Sequence, residues 1–321
     1  MYALLLNGVN VDLAKEEVLA LAKNKKFFLD GKLLLINEKL GFERLAYTNK
    51  VYKLLGTLKD MDREISKINF QKYFKTSFRV RIIKIPSNLE IKYNESNLGS
   101  FIWKKLKKPK VDLDTPKTKF DFIFTKNNIF VCLDILKMDK KFVKERDAKF
   151  RPGFHPSSMN ALFAKALVNL SSVKPGEKLL DPFCGVGGIL VEAGLLKCKL
   201  LGYDIDELMV KKCMKNLKFY KISSFKVKLG DALESKDRVH TIVTDPPYGR
   251  HSSLHGKSIN FLYNKFIGVA YKNLNKNRKM VIVMPEKLDV NIGKFKLRAK
   301  ILHRIHKTLT RKILVLEKLN S

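Results

Sequence analysis

In this chain of 321 residues, the stretch that most narrowly restricts chemistry is Asp245-Pro246-Pro247-Tyr248-Gly249-Arg250. Two adjacent prolines stiffen a loop and remove its N–H donors, leaving carbonyl acceptors turned toward whatever the loop faces. A carboxylate followed by such carbonyls suits a group with hydrogens to give. An exocyclic amino group on an aromatic base is one, and it attacks poorly because its lone pair is delocalised into the ring. If the Asp245 carboxylate accepts one hydrogen and the Pro246 carbonyl the other, the nitrogen moves toward sp³ and its lone pair can be aimed at an electrophile. Tyr248 can stack on a base flipped out of its stack. A rigid surface turn capped by an aspartate is the plainer reading of the same residues.

A second constellation begins at Asp181-Pro182-Phe183-Cys184-Gly185-Val186-Gly187-Gly188 and runs straight into Ile189-Leu190-Val191-Glu192-Ala193. Glycines at a strand-to-helix turn let the backbone reverse tightly and approach a ligand. The spacing is not that of a dinucleotide fingerprint, and a pyrophosphate would not welcome the acid in front of it. An acidic, glycine-rich turn suits a cation, and S-adenosylmethionine carries a sulfonium and an ammonium. Asp204, in Gly202-Tyr203-Asp204-Ile205-Asp206, follows about twenty residues on, where a carboxylate can accept two ribose hydroxyls. Asp231, in Gly230-Asp231-Ala232-Leu233, is placed to accept from an adenine amino group.

These residues need strand ends to hold them, and the second half of the chain supplies the rhythm. Strands are expected at Lys178–Pro182, Lys199–Ile205, Phe225–Leu229, His240–Thr244 and Lys279–Met284, with helices at Gly187–Lys197, Glu207–Tyr220 and Ile259–Leu274. Such β-α-β alternation builds a parallel sheet covered on both faces. The runs Ala299–Lys307 and Lys312–Glu317 are too close for a crossover and must close an antiparallel hairpin. The expected class is α/β, a Rossmann-like doubly wound sheet with an antiparallel last strand.

The first half reads as α+β. Tyr2–Leu6 and Lys32–Asn37 are strand-like, Leu13–Lys23 has helical spacing, and Phe42–Leu55 with Lys59–Ser66 looks helical. Ser77 to Ile83 alternates apolar and basic, as a strand with one wet cationic face should. Ser96–Lys107 reads as an amphipathic helix ending in Lys104, Lys105, Lys107 and Lys108. Phe120–Phe124 and Ile129–Asp134 flank Lys126-Asn127-Asn128 as a hairpin.

Lys and Arg total 64 against 31 Asp and Glu, a formal charge of +33. Residues 1–150 hold 32 basic and 18 acidic side chains (+14), and residues 151–321 hold 32 and 13 (+19), so the charge is no detachable tail. A polyanion, nucleic acid above all, is the expected partner. Hydrophobic residues make up 45%, enough for a core. Met1–Val11 lacks the basic start of a signal peptide and every apolar stretch is interrupted by charge, so a cytoplasmic chain without a membrane span is expected. The four cysteines, Cys132, Cys184, Cys198 and Cys213, form no C-x-x-C pair, and neither a metal site nor a disulfide framework is expected.

Asp181 to Gly188 and Asp245 to Tyr248, with the acids between them, resemble the class I S-adenosylmethionine-dependent amino-methyltransferases. Together with Arg151-Pro152-Gly153-Phe154-His155-Pro156-Ser157-Ser158-Met159, the sequence is similar to the archaeal tRNA guanine-N2 methyltransferases that modify guanosine 10. Phe74 to Arg81 and Val111 to Pro116 look like parts of a THUMP domain. The resemblance implies a ferredoxin-like domain at 1–65, a THUMP RNA-binding domain at 66–136, a linker at 137–155 and the methyltransferase domain at 156–321. It implies that Asp181, Gly185 and Gly187 hold the methionine part of S-adenosylmethionine, Asp204 the ribose and Asp231 the adenine, with Phe183, Ile205 and Ala232 beside them. His155, Ser157 and Met159 would line the cofactor entrance, although His155 could equally be a satisfied loop histidine. Asp245, Pro246, Pro247 and Tyr248 would take the target guanine. Arg79, Arg81, Lys104, Lys105, Lys107, Lys108 and Arg250 would meet tRNA, a solvated surface being the other reading of the lysines. Where the family often has a small residue such as Thr, this chain has Val186.

The implied activity is methylation of guanine N2 in tRNA at position 10, giving N2-methyl- or N2,N2-dimethylguanosine. The alternatives are few: tRNA position 6, ribosomal RNA, or a non-catalytic RNA-binding subunit that has kept the fold. A DNA amino-methyltransferase would lack the THUMP-like half. A monomer is expected, and whether a small activating subunit is needed does not follow from the residues.

Overall fold

The computed structural model describes residues 1–156, 158–248, 258–306 and 309–320. The chain divides into two compact units. The first comprises Met1–Val11, Ala22–Glu43 and Thr48–Met138; the second comprises Asp12–Leu21, Arg44–Tyr47 and Asp139–Ser321.

In chain order the first half carries β1 (Tyr2–Leu6), α1 (Val11–Leu21), β2 (Phe27–Asp30), β3 (Leu33–Ile36), β4 (Thr48–Leu58), α2 (Met61–Glu64), β5 (Phe78–Lys84), α3 (Glu95–Trp103), β6 (Thr118–Phe124) and β7 (Ile129–Lys137). All seven strands share one sheet, in the order β2-β3-β1-β4-β7-β6-β5. Strands from residues 1–65 and 66–136 are therefore hydrogen-bonded neighbours, through β4 and β7. Phe70, Phe78, Phe120 and Phe122 centre the core beneath α3, and Phe70 meets Phe120 edge-on at 5.3 Å.

Three expectations are corrected here. Phe42–Leu55 is not helical: a 3-10 turn at Phe42–Arg44 leads into β4, a central strand bonded to β1 and β7. Consecutive Val51 and Tyr52 are both fully buried, so the strand is covered on both faces and lacks the period-2 signal. Lys59–Ser66 reduces to α2 and a 3-10 turn at Ile65–Lys67. The helix expected over Ser96–Lys107 ends at Trp103, and Lys104, Lys105, Lys107 and Lys108 stand exposed on the turn after it, with Lys108 at φ 49°.

The second half carries α4 (Lys141–Glu145), α5 (Ala161–Leu170), β8 (Lys178–Asp181), α6 (Gly188–Leu195), β9 (Lys199–Asp204), α7 (Glu207–Phe219), β10 (Phe225–Leu229), β11 (Thr241–Thr244), α8 (Ile259–Asn273), β12 (Arg278–Pro285), β13 (Lys296–His306) and β14 (Leu309–Lys318). The sheet order is β10-β9-β8-β11-β12-β14-β13. β8 to β12 are parallel and β14 runs antiparallel between β12 and β13, as the two closing runs require. Chain order reverses between β8 and β11, the place where open α/β sheets bind ligands beyond their carboxyl ends.

α1 and residues 44–47 pack with this second unit. The buried Glu17 carboxylate accepts from Ala46 N at 2.7 Å, Tyr47 N at 2.8 Å and Asn169 Nδ2 at 2.6 Å, and Arg44 Nε donates to Asn169 Oδ1 at 2.7 Å. Asn169 belongs to α5, a helix absent from the sequence expectations; eight of its ten residues are buried, and Lys165 and Asn169, four positions apart, are its polar side chains. Among the described residues no helix is long and apolar enough to cross a membrane.

Candidate active site

Four strand ends build the site. At the end of β8 the chain turns through Gly185 (φ 50°) and Gly187 (φ 84°) into α6. The two glycines serve different needs. A Cβ on Gly187 would lie 2.6 Å from Cys213 Sγ on α7, whereas one on Gly185 would meet nothing within 4 Å. Gly187 thus allows the turn to pack on α7, and Gly185 keeps an open cradle.

Asp204, at the end of β9, ties this turn down. Its Oδ2 accepts from Gly185 N at 2.8 Å and its Oδ1 from Asp206 N at 3.0 Å, leaving further lone pairs on both oxygens. Burial raises its pKa, against these backbone hydrogen bonds. Beyond it Ile205 is 55% exposed, and Asp231 caps the turn after β10 by accepting from Leu233 N at 2.8 Å, with Ala232 buried beside it. Phe183 packs edge-on against Phe266 of α8 at 5.1 Å.

Asp181 stands lower than expected. It is 2% exposed and accepts from Thr244 Oγ1 at 2.7 Å and Phe183 N at 3.3 Å, beneath the loop it begins. Burial pushes its pKa up to about 7; those two hydrogen bonds oppose the rise, and the charges of Asp245 and Asp204 add to it.

The segment before the domain is pinned by a residue the sequence did not single out. Asn216, fully buried on α7, accepts from Gly153 N at 2.7 Å and donates to Gly153 O at 3.3 Å and Val186 O at 2.8 Å. It joins the Arg151-Pro152-Gly153 stretch to the glycine turn. Its signal is a polar residue on the buried stripe of Val210, Cys213 and Leu217. His155 accepts through its carbonyl from Ser158 N at 3.0 Å, and Met159 lies against Gly188 at the start of α6. Ser157 lies outside the described residues.

At the end of β11, Asp245 is held from two sides. Tyr248 OH donates to Oδ1, and Arg311 Nη1, from β14, donates to Oδ2 at 3.0 Å. The same guanidinium lies 5.1 Å from the centre of the Tyr248 ring. Tyr263 OH, on α8, donates to Pro246 O at 3.2 Å, so the carbonyl expected to receive the target has one lone pair engaged and one left. Pro247 is partly buried between them. Burial pushes the Asp245 pKa up, while the Arg311 charge and the Tyr248 hydroxyl hold it down. Arg311, Tyr263 and Thr244 were not anticipated. Arg311 sits 66 positions from Asp245 in a basic chain, with no local signal to mark it.

The RNA-facing expectations divide. Arg79 is not on a wet face: it is an interior ion, donating from Nη1 to Asp121 at 3.0 Å and lying 3.6 Å from Asp134. Asp121, fully buried, also receives Lys50 Nζ at 2.9 Å and Tyr52 OH at 3.2 Å. Arg81 is half exposed and pairs with Glu95 at 3.0 Å. Arg250 lies outside the described residues.

A doubly wound sheet that reverses β14 and carries an acceptor loop after β11 is a class I methyltransferase fold. The family model of the RMKL-like methyltransferase domain matches residues 148–313, which include both motifs, and a DNA methylase model matches 5–215, which stops short of Asp245. A tRNA (guanine(10)-N2)-dimethyltransferase of Methanothermobacter thermautotrophicus is 35% identical over 283 residues, 86% of this chain and 84% of that protein. One from Pyrococcus abyssi is 29% identical over 97% of both chains. In fold, the chain is similar to the crystal structure of TrmN from Thermus thermophilus, with a TM-score of 0.55 and 19% identity over 99% of each. The chain belongs to the tRNA (guanine(10)-N2)-dimethyltransferase family.

Proposed function

We propose that this protein transfers methyl groups from S-adenosylmethionine to the exocyclic N2 of guanosine in tRNA, at position 10, and that it adds two in succession. The observation that carries the reading is Asp245 at the end of β11, with both carboxylate oxygens held by donors and the Pro246 carbonyl one position on.

The residues present fit the cofactor: an open cradle at Gly185 and a carboxylate with spare lone pairs at Asp204. Asp204 would hold the ribose, Asp231 with Ala232 the adenine, and Gly185 the methionine part, with Asp181 acting from below through the Phe183 backbone. S-adenosylmethionine, when bound, supplies an electrophilic methyl group. Asp245 and the free lone pair of the Pro246 carbonyl accept the two hydrogens of N2 and turn its lone pair out of the ring. Once the nitrogen carries a positive charge, a carboxylate whose pKa is raised by burial is suited to take its proton. Tyr248 meets the face of the base.

The first half is read as the RNA-gripping part, in which residues 66–136 are the THUMP domain and 1–65 the ferredoxin-like one. The exposed Lys104, Lys105, Lys107 and Lys108 are its phosphate contacts. The enzyme is read as cytoplasmic, like its substrate. Incubation with unmodified tRNA and labelled cofactor, followed by nuclease digestion and mass spectrometry, tests the proposal. Dimethylguanosine at position 10 is expected; label at position 6 alone, or none, overturns it.

A further inference from the structure

Arg311 comes from β14, at the register position opposite His303 of β13, and reaches the loop after β11. It touches two members of the acceptor loop at once: the Asp245 carboxylate through Nη1 and the Tyr248 ring through the face of the guanidinium. Its Nε–H is buried and has no acceptor among the described residues.

We propose that Arg311 is the positioning residue of the methyl transfer, holding the carboxylate of Asp245 and the ring of Tyr248 in the arrangement that receives the target base. The proposal rests on Asp245 being the acceptor of the target amine. The ionised carboxylate accepts from that amine with both oxygens and can take its proton; protonation turns one oxygen into a donor and removes the base. Burial works against ionisation at Asp245, and the cation 3.0 Å away is the largest influence opposing it. The Arg311 Nη1–H also fixes Oδ2 while the Tyr248 hydroxyl holds Oδ1, so the remaining lone pairs of the carboxylate are presented in a single orientation.

Few of the described groups surround this pair. Tyr248 from the same loop, Tyr263 from α8 and Asp181 from β8 face Asp245. Burial raises both tyrosines far above the ordinary range, so neither ionises in the working range of pH. His303 faces Arg311 from β13. Its ring stacks on Phe163 at 4.4 Å and meets Tyr47 edge-on at 6.3 Å. Burial, and then the Arg311 charge, push its pKa down to about 4, so it stays neutral beside the guanidinium. Among the described residues, Asp245, Asp181 and, beside the latter, Asp204 are left to shape the acid side of a pH profile.

The test compares wild type with Arg311→Met and Arg311→Lys, using full-length protein, unmodified tRNA and S-adenosylmethionine. Arg311→Met should lower kcat by about 10²-fold, leave KM for tRNA near wild type, and move the acid limb of the kcat profile up by about one pH unit. Arg311→Lys keeps the charge without the fork, so its acid limb should stay at the wild-type pH while kcat falls between the other two. Melting temperature and tRNA binding without cofactor show that each variant is folded. An acid limb unmoved in Arg311→Met overturns the proposal, as does a loss confined to KM, which would make Arg311 a phosphate contact. If instead Asp245→Ala turns over like wild type, it is the acceptor reading beneath the proposal that fails.

Discussion

Thr244 Oγ1 donates to Asp181 Oδ1 at 2.7 Å, which fastens the end of β11 to the end of β8. Thr244 immediately precedes Asp245, and Asp181 begins the glycine turn, so this hydrogen bond, added to the pairing of β8 with β11, ties the loop proposed to take the base to the loop proposed to take the methyl donor.

That bond carries a pH signature. The folded-state pKa of Asp181, about 7, lies above its ordinary value of 3.8. The folded protein therefore binds this proton more tightly than the unfolded chain, and stability is lost as pH rises from about 4 to about 7, then levels. At about 1.4 kcal/mol per unit the loss has an upper bound of ~4 kcal/mol. Asp181→Asn, which still accepts from Thr244 and Phe183, should flatten this decline and melt higher than wild type at pH 8. Equal pH slopes in thermal melts of the two proteins would rule it out.

Asp121 is the anion on which Lys50, Arg79 and Tyr52 converge inside the first unit. Asp121→Ala leaves interior cations short of a partner and should cost about 3–5 kcal/mol. Denaturant unfolding followed by a probe in the first unit measures this; a loss below about 1 kcal/mol would mean that the cluster is effectively solvated.

Since α1 and residues 44–47 belong to the catalytic unit, a fragment beginning at residue 139 lacks the partners of Asn169 and the apolar side of α1, including the fully buried Leu13, Ala14 and Val18. Such a fragment should be aggregation-prone or melt well below the full chain, as judged by soluble yield and near-ultraviolet circular dichroism. A fragment as stable as the whole protein would refute the assignment.

The net charge of +33 makes tRNA affinity steeply dependent on salt. Replacing Lys104, Lys105, Lys107 and Lys108 together by Gln should weaken binding and reduce the slope of log affinity against log salt, by up to ~0.9 for each phosphate no longer neutralised. Affinity for S-adenosylmethionine should be indifferent to both changes. A filter-binding series with an unchanged slope would return the four lysines to plain solvated surface.

The catalytic half was legible because its signals are local. Glycines mark the turn after β8, and prolines mark the loop after β11, next to strands whose apolar runs stand clear of their surroundings. The first half was less so. Val51 and Tyr52 are buried on opposite faces of β4, which erases alternation, and α5 is short, with only Lys165 and Asn169 to mark its polar side. The basic alternation at Arg79 and Arg81 looked like a surface, yet Asp121, some forty residues away, draws Arg79 inside. Asn216 left a trace as a polar residue on an apolar stripe. Arg311 left none, because only the pairing of β14 with β12 brings it to Asp245.

The chain passes between its two units five times, at residues 11, 21, 43, 47 and 138. Neither unit is a cassette. No single cut in the coding sequence separates one of them whole from the other.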